Sequence, residues 1–413
     1  MNKNKNTDNI TFEKFDDYAA GFLQSLADQG HSAGTIGQYR SFINALAGIM
    51  RAKGISLEDL DEVLAMDLAA ETGWRSGRST YAVFIAKRLV RFLRSHGAGK
   101  PPPPPTAKEM ARAKLKNDYE RYLRSQRGLS ERTIFHSWRY VDRFLTFRFG
   151  DEIGDLTQIS AEDIASFLQN LTGRKKPFRD KTGPTHLRNF FRYLFKAGKI
   201  STNLALGIPR VRQQYRARLP RHLSPEQVEI LLKAVRLGSY GGRRNYAMVL
   251  MMARLGFRAP EVIAMQIDDI DWRAGEIIVR GKGGLHDRVP LPNDLGEAIT
   301  DYIRHDRGNK VSSRTLFVRG RAPHSPFKNG QVLNNILRDA FVRSGLKPPA
   351  PYVGSHVLRH SLAVNLVRRG ASLEEIGDML RHRSRQSTMI YARLDIDGLR
   401  SIAQPWPVAG GAK

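Results

Sequence analysis

Arg258, Lys282, His356, Arg359, His382 and Tyr391 follow one another through the C-terminal part of the chain and together could do chemistry. A guanidinium is planar, permanently charged and bidentate toward oxygens, so two arginines suit an anion on which charge develops. Imidazole and ammonium groups can move protons. A phenol with a pKa of ~10 is a weak nucleophile at neutral pH unless a base and positive charge stand beside it. Cysteine is absent, which excludes disulfides, thiolate metal sites, zinc fingers and thiol nucleophiles. Each residue taken alone has a structural reading. Arg258 could pair with Glu261, Lys282 could be an exposed hairpin lysine, and His356 and His360 could be capped or core histidines. His382 could serve a helix dipole, and Tyr391 could be a core aromatic. All of these readings would have to hold at once, and that coincidence is rejected.

The elements that must position these groups are also legible. Arg258 lies in LGFRAPEV, just after an apolar helix ending near Leu255. Lys282 lies in EIIVRGKGGLHDRVPLP, where two β-rich runs flank a glycine-rich turn, which predicts a hairpin. HVLRH, with His356 and Arg359, begins a helix ending near Gly370. Ser372 to Glu375 reads as a capping box for the next helix, which Arg381-His382 closes, and Tyr391 follows nine residues after His382. Ser224-Pro225-Glu226-Gln227 starts the first helix of this last domain.

At 413 residues the chain has room for two to four domains of roughly 100–200 residues. Its formal net charge of +27 calls for a polyanionic partner, either nucleic acid or an anionic membrane surface. The longest apolar run, Tyr246 to Ala253, is far short of the ~20 residues a spanning helix needs. The N-terminus MNKNKNTDNI lacks the apolar core of a secretory signal. A cytoplasmic, nucleoid-associated nucleic-acid-binding protein without a membrane partner is the expectation. The charge is uneven: residues 1–100 carry a net +2, 101–220 carry +13 and 221–413 carry +12.

Pro101 to Pro105 form a stiff spacer. The segments on either side of it look like copies of one helical unit. GHSAGTIGQYRSFI parallels GLSERTIFHSWRYV at an offset of 98, DLDEVLAMDLA parallels DLTQISAEDIA at 96, and KRLVRFLRSHG parallels RNFFRYLFKAG at 101. Both copies read as four or five short helices. The second copy is far more basic, so Arg132 and Arg139 within it are candidate DNA contacts. A second linker carries Arg210, Arg212, Arg216 and Arg218 and no acid, as expected of a backbone strap along DNA.

With these residues in order, the sequence resembles the tyrosine recombinase (phage integrase) family. The resemblance covers about Leu223 to Ala403 and extends to the preceding basic domain. It implies a mainly α fold with a small antiparallel β-sheet: helical N-terminal domains followed by a mixed α+β catalytic domain. The expected boundaries are a helical domain at 12–99, a proline-rich linker at 100–109 and a core-binding (SAM-like) domain at 110–205. An arginine-rich linker at 206–221, a catalytic domain at 222–404 and a tail at 405–413 follow.

The resemblance also implies roles. Arg258 and Arg359 would clamp the scissile phosphate, and His356 would be the base or orienter. Lys282 would protonate the departing 5′ oxygen, and His382 would hydrogen-bond the phosphate. Tyr391 would attack to leave a 3′-phosphotyrosine. Retained bond energy implies neither metal nor ATP, and no cofactor is expected. Partners would be double-stranded DNA, other protomers in a homotetramer on two sites, and a partner recombinase or accessory DNA-bending protein. The chain departs from the family at Pro260, where a small polar residue is usual, and at Arg381, where glycine is usual. Ala392-Arg393 replaces the frequent Thr-His. The rival expectations are a non-catalytic DNA-binding relative and a topoisomerase using similar chemistry.

Overall fold

In a computed structural model, residues 4–73, 79–172, 182–209, 220–238, 241–280, 286–308, 311, 313–349 and 354–394 are described. The chain divides into two compact units, Pro101–Tyr215 and the rest, so the first hundred residues group with the C-terminal part. Each of the three expected regions nevertheless has its own apolar core.

The first helical bundle comprises α1 (Asn4–Asp28), α2 (Ala33–Lys53), a 3-10 turn at Leu57–Asp59, α3 (Glu62–Glu71) and α4 (Ser79–Ser95). Phe15, Phe22 and Leu26 on α1 recur at helical spacing and are buried against Tyr39, Phe42 and Leu46 of α2. The second bundle repeats this order: α5 (Ala107–Ser125), α6 (Glu131–Phe149), a 3-10 turn at Leu156–Gln158, α7 (Ala161–Thr172) and α8 (Gly183–Lys196). Its core includes Tyr119, Phe144, Phe167 and Phe190.

Two expectations need correction here. The helices are not short, since α1, α2, α5 and α6 run 25, 21, 19 and 19 residues. The middle match is also out of register. Buried Ala65, Leu68 and Ala69 of α3 correspond to buried Ile164, Phe167 and Leu168 of α7, an offset of 99 rather than 96. A slip of three residues is nearly one helical turn, so it preserves the apolar pattern that suggested the alignment.

The C-terminal part is built around α10 (Gly242–Leu255), whose residues from Ala247 through Ala253 and Leu255 are buried on every side. Around it lie α9 (Pro225–Arg236), α12 (Asn293–Tyr302), α13 (Gln331–Ser344) and α14 (His356–Arg368). The Ser224 capping box starts α9 as its sequence requires. A short α11 (Ala259–Ala264) leads to the antiparallel sheet β1 (Ile270–Asp271), β2 (Glu276–Arg280) and β3 (His286–Pro290), in that order. Glu276 pairs with Pro290 and Arg280 with His286, so β2 and β3 form the expected hairpin. The chain ends in α15 (Leu373–Met379), capped by Ser372 and Glu375, then α16 (Arg385–Thr388) and a 3-10 turn at Ala392–Leu394. Among the described residues no helix is long and apolar enough to cross a membrane.

Candidate active site

Five of the six proposed chemical groups, all but Lys282, lie where the end of α10, the start of α14 and the segments after α15 meet. Gly256 ends α10 in the left-handed region (φ +62°), turning the chain so that Arg258 precedes α11. Arg258 donates its backbone N–H to Glu261 Oε2 (2.8 Å), and its guanidinium meets Oε1 at 2.6 Å. The pairing with Glu261 is therefore present, and it spans the N-terminus of α11. Burial alone would raise the Glu261 pKa. The Arg258 N–H and guanidinium and the charge of Arg381 outweigh it and hold the carboxyl below its ordinary range.

Arg359, one turn into α14, is only 4% exposed. Its guanidinium donates to the carbonyls of Gly256 and Leu380, tying the segment before Arg258 to the segment before His382. Burial, then the nearby charges of Arg258 and Arg381, bring its pKa down to about 10, which still leaves it a cation at neutral pH. His382 is half-buried and shares a hydrogen bond with Thr388 Oγ1 at 2.8 Å. Its pKa falls to about 4, through burial first and then the charges of Arg359 and Arg258.

Tyr391 sits 1% exposed in a small core with Val364, Val367, Ile376 and Leu380. Burial pushes its pKa up to about 12, with Arg359 pulling the other way. Its hydroxyl is bonded to His360 Nδ1 at 2.7 Å. His356, the expected base or orienter, is exposed at the start of α14, and its ring centre lies 6.5 Å from that of His360. His356 and His360 are four residues apart, so both project from one helical face. HVLRH contains the signal for either, but only packing places His360 against Tyr391. Burial lowers the His360 pKa to about 4, helped by His356 and Arg359.

Lys282 lies outside the described residues, as do Arg210, Arg212, Arg216 and Arg218. The hairpin that carries Lys282 is described on both sides, and Asp287 of β3 pairs with Arg383, next to His382, at 2.8 Å. Arg132 and Arg139 are exposed on α6, in the other compact unit.

His360 and His382, the two histidines lowered to about 4, make stability depend on pH. Between about pH 6.5 and 4 the unfolded chain binds protons that His360 and His382 refuse in the fold, so stability is expected to fall as pH drops through that window. Each ring contributes a slope of up to about 1.4 kcal/mol per pH unit. Urea midpoints for wild type and His382→Asn between pH 6.5 and 5 check this. A wild-type profile flat over that range would show that the rings are not held neutral.

A helical domain is followed by a mixed, mainly helical domain in which arginine, histidine and tyrosine side chains gather around α14. Residues 221–397 match the model of the Phage integrase family, and residues 117–198 match the phage integrase N-terminal SAM-like domain. A putative integrase/recombinase of Sinorhizobium fredii, y4rA, is 37% identical over 94% of each chain. Tyrosine recombinase XerC of Anoxybacillus flavithermus is 28% identical over 69% of this chain and 95% of its own. Among solved structures, XerH bound to a palindromic difH substrate shares the fold with a TM-score of 0.52 at 20% identity, covering 70% of this chain and 93% of that one. The chain belongs to the tyrosine recombinase (phage integrase) family, and its activity is site-specific DNA recombination.

Proposed function

We propose that the chain recombines double-stranded DNA through a 3′-phosphotyrosine formed on Tyr391, in the integration, excision or transposition of a mobile element. The observation that carries this reading is the buried Tyr391 hydroxyl on a neutral imidazole, His360, next to the Arg359 guanidinium. In cleavage the Tyr391 oxygen attacks the scissile phosphorus, and the phenolic proton passes to an imidazole. His360 holds that proton's position in the described state, and His356 is the second candidate acceptor. Arg258 and Arg359 neutralise the charge that develops on the non-bridging oxygens. The bond to the 5′ oxygen breaks, and Lys282 supplies its proton. His382 donates to the phosphate. One phosphoester replaces another, so the step runs without ATP, and the six side chains supply the acid, base and charge without a metal. At 1% exposure Tyr391 must swing out of its core before it attacks. The chain would act as a homotetramer on two sites, with a partner recombinase or accessory protein where geometry demands one.

In this reading the 110–205 region is the core-binding domain, with Arg132 and Arg139 of α6 on phosphates and Arg210, Arg212, Arg216 and Arg218 along the backbone. Each of Arg132→Ala and Arg139→Ala is expected to lower the slope of log affinity against log salt by about 1, equally on unrelated duplexes. Fluorescence anisotropy of a labelled duplex across a salt series measures it. An unchanged slope removes that arginine from the interface.

The test of the reaction is covalent capture. Cells expressing the chain are lysed in strong detergent without crosslinker, the protein is recovered and attached DNA is sequenced. DNA at a few discrete loci supports the reading. Recovery of DNA without site preference, together with relaxation of any supercoiled plasmid, points to a topoisomerase, and no recovery despite native binding points to a non-catalytic relative.

A further inference from the structure

Arg381 departs from local expectation twice. It is a non-glycine residue in the strained left-handed region (φ +53°), and its cation is 8% exposed. The side chain turns inward rather than toward solvent. One terminal nitrogen donates to the Leu255 carbonyl at 3.2 Å, and the other lies 3.4 Å from Glu261 Oε2. The guanidinium also lies over the Phe257 ring, 4.6 Å from its centre. Glu261 is thus shared: Oε1 takes the Arg258 guanidinium, while Oε2 takes the Arg258 backbone N–H and faces Arg381.

Charge balance gives this sharing a consequence. Arg258 and Glu261 alone form a neutral pair, and a carboxylate at 2.6 Å would cancel much of the field that Arg258 offers an incoming anion. A second cation on the same carboxylate restores a net positive charge to the triad. It also holds the carboxylate in place, so that Arg258 is gripped from a fixed point.

Resting on the strand-cleavage reading above, we propose that Arg381 is a positioning residue for that reaction, acting through Glu261 to orient Arg258 and to keep it net cationic toward the scissile phosphate. It does not touch DNA itself. The arginine that stands where the family usually has glycine is therefore a support for a different group.

The test uses full-length protein and a nicked duplex of a locus recovered by covalent capture, with single-turnover cleavage and DNA affinity measured separately. Arg381→Gly keeps the backbone turn, because glycine tolerates φ +53°. It is expected to slow cleavage of bound DNA by about 100-fold, with affinity changed less than three-fold. Arg381→Lys, which returns a cation to Glu261, is expected to recover at least ten-fold of that loss. In the double variant with Glu261→Gln, the Arg381→Gly loss should largely vanish, because the carboxylate through which it acts is gone. Thermal melting confirms that the variants are folded. An Arg381→Gly protein cleaving at the wild-type rate, or a loss that adds in full to that of Glu261→Gln, overturns the inference while wild-type cleavage still upholds the reaction. A wild type that forms no adduct on the locus overturns the reaction and this inference with it.

Discussion

Tyr391→Phe is expected to abolish the covalent protein–DNA adduct while leaving native DNA binding intact. The substitution removes one oxygen from a residue 1% exposed and keeps the ring that packs against Val364, Ile376 and Leu380. The structural loss is the 2.7 Å hydrogen bond to His360, worth about 1 kcal/mol net, with the ring nitrogen left unpaired inside the fold. The chemical loss is far larger. Without the proposed nucleophile, cleavage should fall by roughly 10⁴-fold or more, to whatever remains from binding and electrostatic stabilisation. A denaturing gel that resolves protein–DNA adducts reads the first effect, and duplex anisotropy reads the second. Adduct formation by Tyr391→Phe at even a hundredth of the wild-type rate would move the nucleophile elsewhere in the chain.

Arg359→Ala should damage both fold and activity, for one reason. Among the described residues, this guanidinium alone bridges the Gly256 and Leu380 carbonyls, which belong to the two segments that present Arg258 and His382. Deleting it leaves two carbonyls short of a donor, at about 1–3 kcal/mol each, and opens a cavity beside α10. A stability loss of roughly 2–6 kcal/mol in urea follows, together with loss of the charge proposed to face the phosphate. Arg359→Lys separates these contributions. An ammonium retains the charge but cannot present a planar fork to two carbonyls, so it should stay well below wild type in single-turnover cleavage. An Arg359→Ala protein as stable as wild type would mean that the two segments hold together without this tie.

Local rules made much of this chain legible. Ser224 with Gln227 and Ser372 with Glu375 are capping boxes because each pair lies within one turn, and both start helices where their spacing requires. The β2–β3 hairpin follows from two β-rich runs around a glycine-rich turn. The apolar run Tyr246 to Ala253 becomes the buried helix α10, since a segment apolar on all sides must lie inside. Periodicity did less well where its own period is ambiguous. The match of α3 to α7 was displaced by three residues because a 3.6-residue repeat barely distinguishes that slip.

What the sequence determined by itself is the set of groups and the helices and hairpin that carry them. Charge, residue type and spacing within one or two turns are chemical properties of the chain and need no fold. What only the tertiary structure decided is which of these groups meet. His356 and His360 are equivalent by spacing, and the choice of His360 for Tyr391 depends on how the last helices pack against α14. Arg381 reads only as a departure from the usual glycine until the left-handed turn sends it inward to Glu261, a partner 120 residues earlier in the chain. Contacts at such separation are set by the burial of whole helices, whose apolar surface outweighs any single polar preference. Local sequence therefore names the chemistry, and packing assigns the partners.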